Sequence, residues 1–130
     1  MIHPFDRVAL RSDINEKALS YYPGLHRVEE YVLSHLRTGV CLAEAARVAQ
    51  REYKYFSALF RSKVGIRFGE WVNMLRVRRS LDIMKAHHDS IPHIAFASGF
   101  KDVRSFERTF KKLTGLTPSE ARYQLLSEHE

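Results

Sequence analysis

Only one cysteine, Cys41, stands in 130 residues, so no internal disulfide framework can staple the fold. Such sparing use of cysteine fits a reducing compartment. No apolar run approaches the roughly 20 residues that a membrane span needs. The stretch from Met1 to Arg11 has no apolar segment behind a basic start, so no secretory signal is expected. Sustained period-two alternation bounded by turn pairs is missing too, which argues against a sheet. Spaced pairs of cysteine or histidine ligands do not occur, so no metal site is expected. These absences leave a cytoplasmic, all-α protein whose core is built by apolar burial alone.

What is present is sufficient for that. The chain is 45% hydrophobic and 28% charged, a composition that folds rather than stays disordered. Its formal net charge is +6, and the charge is segregated. From Arg51 to Lys112 there are 14 Lys and Arg against 6 Asp and Glu, while the remainder holds 7 against 9. A concentrated basic surface is the electrostatic footprint of a polyanion binder. A solvated basic face with no partner explains the charge equally well when the charge is taken alone.

Helix signals recur in short segments. Asp13 with Glu16 predicts a capped helix near 13–20. Leu25, Val28, Val32 and Leu36 repeat at spacings of three and four, one apolar stripe that Gly39 can end. A short alanine-rich helix follows at 42–49. Another is predicted at 53–64, with Phe56, Leu59 and Phe60 inward and Gly65 at its end. A longer helix at 68–85 carries Trp71, Val72, Leu75, Leu81 and Met84. Ser90 can cap a helix at 91–98, with Pro92 tolerated in its first turn. After Gly99, Asp102 can cap a helix at 103–114. Thr117, Pro118 and Glu120 combine an N-cap, a first-turn proline and the partner of a capping box, which starts the last helix.

The decisive pattern is a repeat. Phe56-Ser-Ala-Leu-Phe60-Arg61-Ser-Lys63-Val-Gly65 recurs fifty residues later as Phe106-Glu-Arg-Thr-Phe110-Lys111-Lys112-Leu-Thr-Gly115. Leu42, Ala45 and Ala46 recur as Ile91, Ile94 and Ala95, one residue less apart, so the extra residue falls in the second turn. Each copy is a short helix, a tight turn and a second helix with a basic end, the arithmetic of a helix-turn-helix. Ala46 and Ala95 suit a steep helix crossing, and Gly99 suits a turn that side chains with a Cβ resist. Duplicated packing in an ordinary helical array accounts for the inward phenylalanines. It does not account for the other face, which carries Lys54, Ser57 and Ala58 in one copy and Arg104, Glu107 and Arg108 in the other. Such a stripe at the front of a helix is what major-groove reading requires.

These residues resemble the DNA-binding domain of the AraC/XylS family of bacterial transcription regulators. The resemblance covers roughly Leu25 to Leu125. Its most specific part is Ile91-Pro-His-Ile94-Ala95-Phe-Ala-Ser-Gly99-Phe100, then Ser105-Phe106-Glu-Arg108-Thr-Phe110-Lys111-Lys112-Leu-Thr-Gly115-Leu-Thr117-Pro118, ending at Arg122. Phe60, Gly65, Trp71 and Arg76 also fall where the family pattern expects Phe, Gly, an aromatic and Arg. The resemblance implies an all-α, homeodomain-like fold of about seven core helices. Two helix-turn-helix subdomains, 24–67 and 87–126, would be joined by a linker helix at 68–86. Residues 1–23 would form an extension with a short helix, and 127–130 a tail. Recognition helices at 53–64 and 103–114 would enter successive major-groove faces of one duplex, consistent with a repeat of about 34 Å. Lys54, Ser57, Arg104, Glu107 and Arg108 are the expected base readers. Arg61, Lys63, Arg76, Lys111 and Lys112 are the expected phosphate contacts. Double-stranded DNA is the expected partner and RNA polymerase a second one. One copy per site is expected of a full-length chain, working as a nucleoid-associated activator without a cofactor. About 23 residues precede the first core helix, too few for a sensor domain: a chain that starts natively at Met1 resembles the stand-alone members of the family, and an excised piece would have lost its regulatory half.

Several positions depart from the family pattern. Gln50 and Glu52 replace Gly and Ser around the first turn, Cys41 replaces a capping Ser or Thr, and Ser57 and Ala58 are short. The first motif is therefore expected to add grip, with sequence choice resting on the second. Glu107 can accept a hydrogen bond from cytosine or orient Arg104 or Arg108. A degenerate helix-turn-helix protein that docks on another regulator or on RNA polymerase is the alternative. An enzyme is not expected. His87-His88-Asp89 suits a solvated helix end, and Cys41, with no His or basic partner in its motif, is expected to be a buried thiol.

Overall fold

The computed structural model describes residues 14–128. Asp13, expected to cap the first helix, lies outside the described residues. Eight helices and no strand occur among them. In chain order these are α1 (Lys17–Tyr21), α2 (Pro23–His35), α3 (Leu42–Val48), α4 (Tyr53–Val64), α5 (Phe68–Ala86), α6 (Ile91–Ala97), α7 (Val103–Thr114) and α8 (Pro118–Glu128). None is long and apolar enough to cross a membrane.

The chain divides into two compact units between Asn73 and Met74, inside α5. The linker helix is therefore shared rather than free-standing. In the first unit, α2 buries Leu25, Val28 and Val32, the predicted stripe. α4 buries Phe56, Phe60 and Val64. The front of α5 closes this core: Phe60 lies 5.2 Å from Trp71 and 5.3 Å from Phe68, ring centre to ring centre. α1 belongs to the core as well. Its Ala18 and Leu19 are buried, it packs on α2 and α4, and the Asn15 N–H donates to the Val64 carbonyl at 2.7 Å. A boundary at residue 23 thus separates residues that share one apolar core.

In the second unit α5 buries Val77, Leu81 and Met84, α6 buries Ile94 and Ala95, and α7 buries Phe106, Phe110 and Thr114. Phe100 joins them, 5.2 Å from Phe106. Thr114 is satisfied locally, its Oγ1 donating to the Phe110 carbonyl at 2.8 Å and accepting from the Leu116 N–H at 3.1 Å. Arg122 donates to the Asp89 carbonyl and so ties α8 to the start of α6.

The two motifs are capped unequally. Ser90 Oγ accepts the His93 N–H at 3.2 Å, and Asp102 Oδ1 accepts the Ser105 N–H at 2.7 Å. Thr117 and Glu120 form the predicted capping box, at 3.1 and 3.0 Å. Cys41 and Glu52, at the same places in the first motif, make no side-chain cap. Cys41 is exposed, contrary to the buried thiol expected. It occupies the N-cap of a surface helix, and its backbone N–H donates to the Tyr31 hydroxyl at 3.0 Å.

The first turn also carries strain. Gln50 has φ 59°, where the second turn has Gly99 at φ 104°. A residue with a Cβ loses roughly 1–2 kcal/mol in this region. Glycine gives back about 0.4–1 kcal/mol of that through its freer unfolded chain. Gln50→Gly is therefore expected to raise stability by about 0.5 kcal/mol, read as a higher urea midpoint in the fluorescence of Trp71. A lowered midpoint would show that the glutamine side chain contributes more than its backbone loses.

Candidate nucleic-acid interface

α4 and α7 each bury one residue per turn and leave the opposite face in solvent. In α4 that face holds Lys54, Ser57, Ala58, Arg61 and Ser62. In α7 it holds Arg104, Glu107, Arg108, Lys111 and Lys112. Small residues stand on the preceding helices. Ala45 and Ala46 of α3, like Ala95 of α6, are buried. Gly65 and Gly115, at φ 97° and 84°, end both second helices with N–H bonds to the Arg61 and Lys111 carbonyls. The basic last turns also suit the negative end of each helix dipole.

The front of α7 is organised by Asp102. Its two bonds from Ser105 hold the carboxyl below the usual carboxylate range, and the charge of Arg108 lowers it further. A depressed folded value means that the stabilisation is complete above the unfolded value, about pH 3.9, and is lost as pH falls through the lower folded one. Glu120, bonded by Thr117, behaves in the same way. Helical ellipticity of the Asp102→Asn variant is expected to fall less between pH 4 and 2 than that of the parent, because Asn caps without titrating. Identical acid profiles would refute a role for the Asp102 cap.

Eight of the ten predicted contact residues lie on these outer faces: Lys54, Ser57, Arg61, Arg104, Glu107, Arg108, Lys111 and Lys112. The other two are turned into packing. Lys63 is half-buried, its ammonium 5.1 Å from the centre of the Tyr22 ring. Arg76 is half-buried with its guanidinium 6.0 Å from the centre of the Phe100 ring, and burial lowers its pKa. Two exposed tyrosines escaped the sequence reading. Tyr53 and Tyr55, 59% and 61% exposed, flank Lys54 at the front of α4. Only Tyr55 is out of phase with the inward Phe56 and Phe60; Tyr53, three residues before one and seven before the other, shares their phase and gave no such signal. Arg51 and Lys101, exposed just before the two N-caps, were also missed.

Two helix-turn-helix motifs, each presenting a polar and cationic second helix, define a paired helix-turn-helix protein. A family profile described as a helix-turn-helix domain matches residues 42–124. The chain belongs to the AraC-type helix-turn-helix family. It is 40% identical over 70 residues to the transcriptional regulatory protein YesN of Bacillus subtilis, which covers 52% of this chain and 19% of YesN. The chain thus spans well under half the length of the curated relatives it matches. Among solved structures it resembles an AraC-type regulator from Chromobacterium violaceum, with a TM-score of 0.75, 21% identity and coverage of 82% of this chain and 95% of that one. It also resembles the DNA-binding domain of AdpA, a global transcriptional factor solved in complex with a target DNA. There the TM-score is 0.73 and the identity 22%, over 78% of this chain and 91% of that one. At these identities the structural likeness establishes the fold.

Proposed function

We propose that the chain is the sequence-specific DNA-binding part of a transcription regulator, with α4 and α7 each lying in a major groove. The observation that carries this is the repeated helix whose buried face is conserved between the two copies while its exposed face is polar and cationic in both. Arg104 and Arg108 have the fork geometry for guanine O6 and N7. Glu107 accepts from cytosine or orients those arginines. Lys54 and Ser57 read from α4, with Tyr53 and Tyr55 beside them. Arg61, Lys111 and Lys112 neutralise phosphates. Arg76 supports the Phe100 ring, and Lys63 belongs to the cavity described below. RNA polymerase is the expected protein partner, and one copy per site the expected stoichiometry.

Selection of bound duplexes from random sequence, followed by footprinting, tests this. One extended, asymmetric site with two protected major-groove segments is the expected result. A palindrome would assign a single reading helix to each subunit. Absence of any salt-sensitive duplex binding would overturn the proposal and leave a protein-docking role.

A further inference from the structure

The first unit holds a half-open cavity of about 430 Å³, within the size range of small-ligand pockets. Its walls carry Arg27, Arg51 and Lys63, and no acidic side chain is among the described residues that line it. Tyr22 and Leu59 give it an apolar side. The start of α2 also opens into it. Tyr22 makes no side-chain cap there and no acidic residue stands in the first turn, so the 13-residue helix does not itself offset its positive end. Arg27 is held in place by a bond from its Nε to the Val48 carbonyl at 3.1 Å, and Lys63 by the Tyr22 ring.

Two positions on the wall of this cavity differ in kind from their equivalents in the second motif. The Arg51 N–H donates to the Ala46 carbonyl, as the Phe100 N–H does to the Ala95 carbonyl, so Arg51 and Phe100 are structural equivalents. Phe100 is buried and fills its unit, whereas Arg51 is exposed and leaves the space open. Lys63 likewise stands where the repeat has Leu113. Two apolar positions have thus become cationic on one cavity wall. Beside them Gln50 holds its strained left-handed backbone, with a polar side chain at the same cavity. Backbone strain of this kind clusters at active sites and ligand clamps.

We infer that this cavity binds an anionic group through phosphate or carboxylate oxygens, with Arg27, Arg51 and Lys63 as its ligands. The anion is either a free metabolite or a phosphate of a bound duplex; the binding chemistry is the same. Isothermal titration with citrate and with pyrophosphate, at fixed ionic strength, tests it on the whole chain. Saturable 1:1 binding is expected. Arg51→Phe, which restores the residue of the second motif, and Lys63→Leu should each weaken it at least tenfold. Arg37→Ala, which removes one exposed cation outside the cavity, should leave it unchanged. Should Arg51→Phe lose its helical ellipticity, Arg51→Gln serves in its place. Heats that vanish when ionic strength is matched, or variants at Arg51 that bind as tightly as the parent, would overturn the inference. A labelled duplex separates the two sources. Displacement of the duplex by citrate assigns the site to a DNA phosphate, and a ternary complex assigns it to a free anion. The calorimetric result needs no DNA, so it stands or falls apart from the proposed function.

Discussion

Phe106→Ala is expected to destabilise the second unit by about 3–5 kcal/mol, the range for truncating a buried aromatic. Phe106 is 0% exposed and sits between Phe100 and Phe110, 5.2 and 5.5 Å away. A small unit has few such side chains, and the cavity left by a benzyl group cannot be filled by backbone that is fixed by helix hydrogen bonds. Whole domains hold only about 5–15 kcal/mol of stability, so the urea midpoint followed by helical ellipticity should fall steeply. Phe96→Ala is the internal comparison. That ring is half exposed on α6, and its loss should change stability by no more than about 0.5 kcal/mol. A drop below 1 kcal/mol for Phe106→Ala would mean that the repeated phenylalanines are not the core that aligns the two motifs.

The bounds of α4 and α7 were legible in the sequence because their determinants are local. Glycines at 65 and 115 end them, Asp102 begins one, and the fourfold spacing of phenylalanines fixes the inward face. What the sequence concealed depends on tertiary filling. Leu59 has the right phase for the core, yet it is half-buried, because the space before it is lined by Arg51 rather than by a second Phe100. Arg76 and Lys63 have the charge of phosphate ligands but lie off the outer faces, Arg76 against the Phe100 ring and Lys63 against the Tyr22 ring at the cavity wall. The burial of Ala18 and Leu19 was equally hidden, since a helix as short as α1 has too few residues to show a stripe. The exposure of Tyr53 was hidden as well, since it shares the phase of Phe56 and Phe60 yet stands in solvent in the first turn of α4, beside the out-of-phase Tyr55.

Arg108→Ala and Arg104→Ala should each weaken specific duplex binding by about 1–3 kcal/mol and relax base choice at one position. The geometry supports a functional rather than a structural reason for both residues. Arg104, Arg108 and Lys112 follow one another at intervals of four on the exposed face of α7, a ladder of like charges. Each such step disfavours the free helix by about 0.2–0.5 kcal/mol. Asp102 offsets part of this near Arg108 only. A polyanion laid against the ladder removes the repulsion and gains the contacts. The two measurements should therefore part company: Arg108→Ala weakens DNA binding while leaving the free protein's stability unchanged or slightly higher. Lys111→Ala should differ again, lowering affinity nearly equally on all sequences and reducing the salt slope by about 1. Variants Arg108→Ala and Arg104→Ala that bind selected sites as the parent does would remove α7 from the groove. An Arg108→Ala variant that loses stability and affinity together would make that arginine a structural residue.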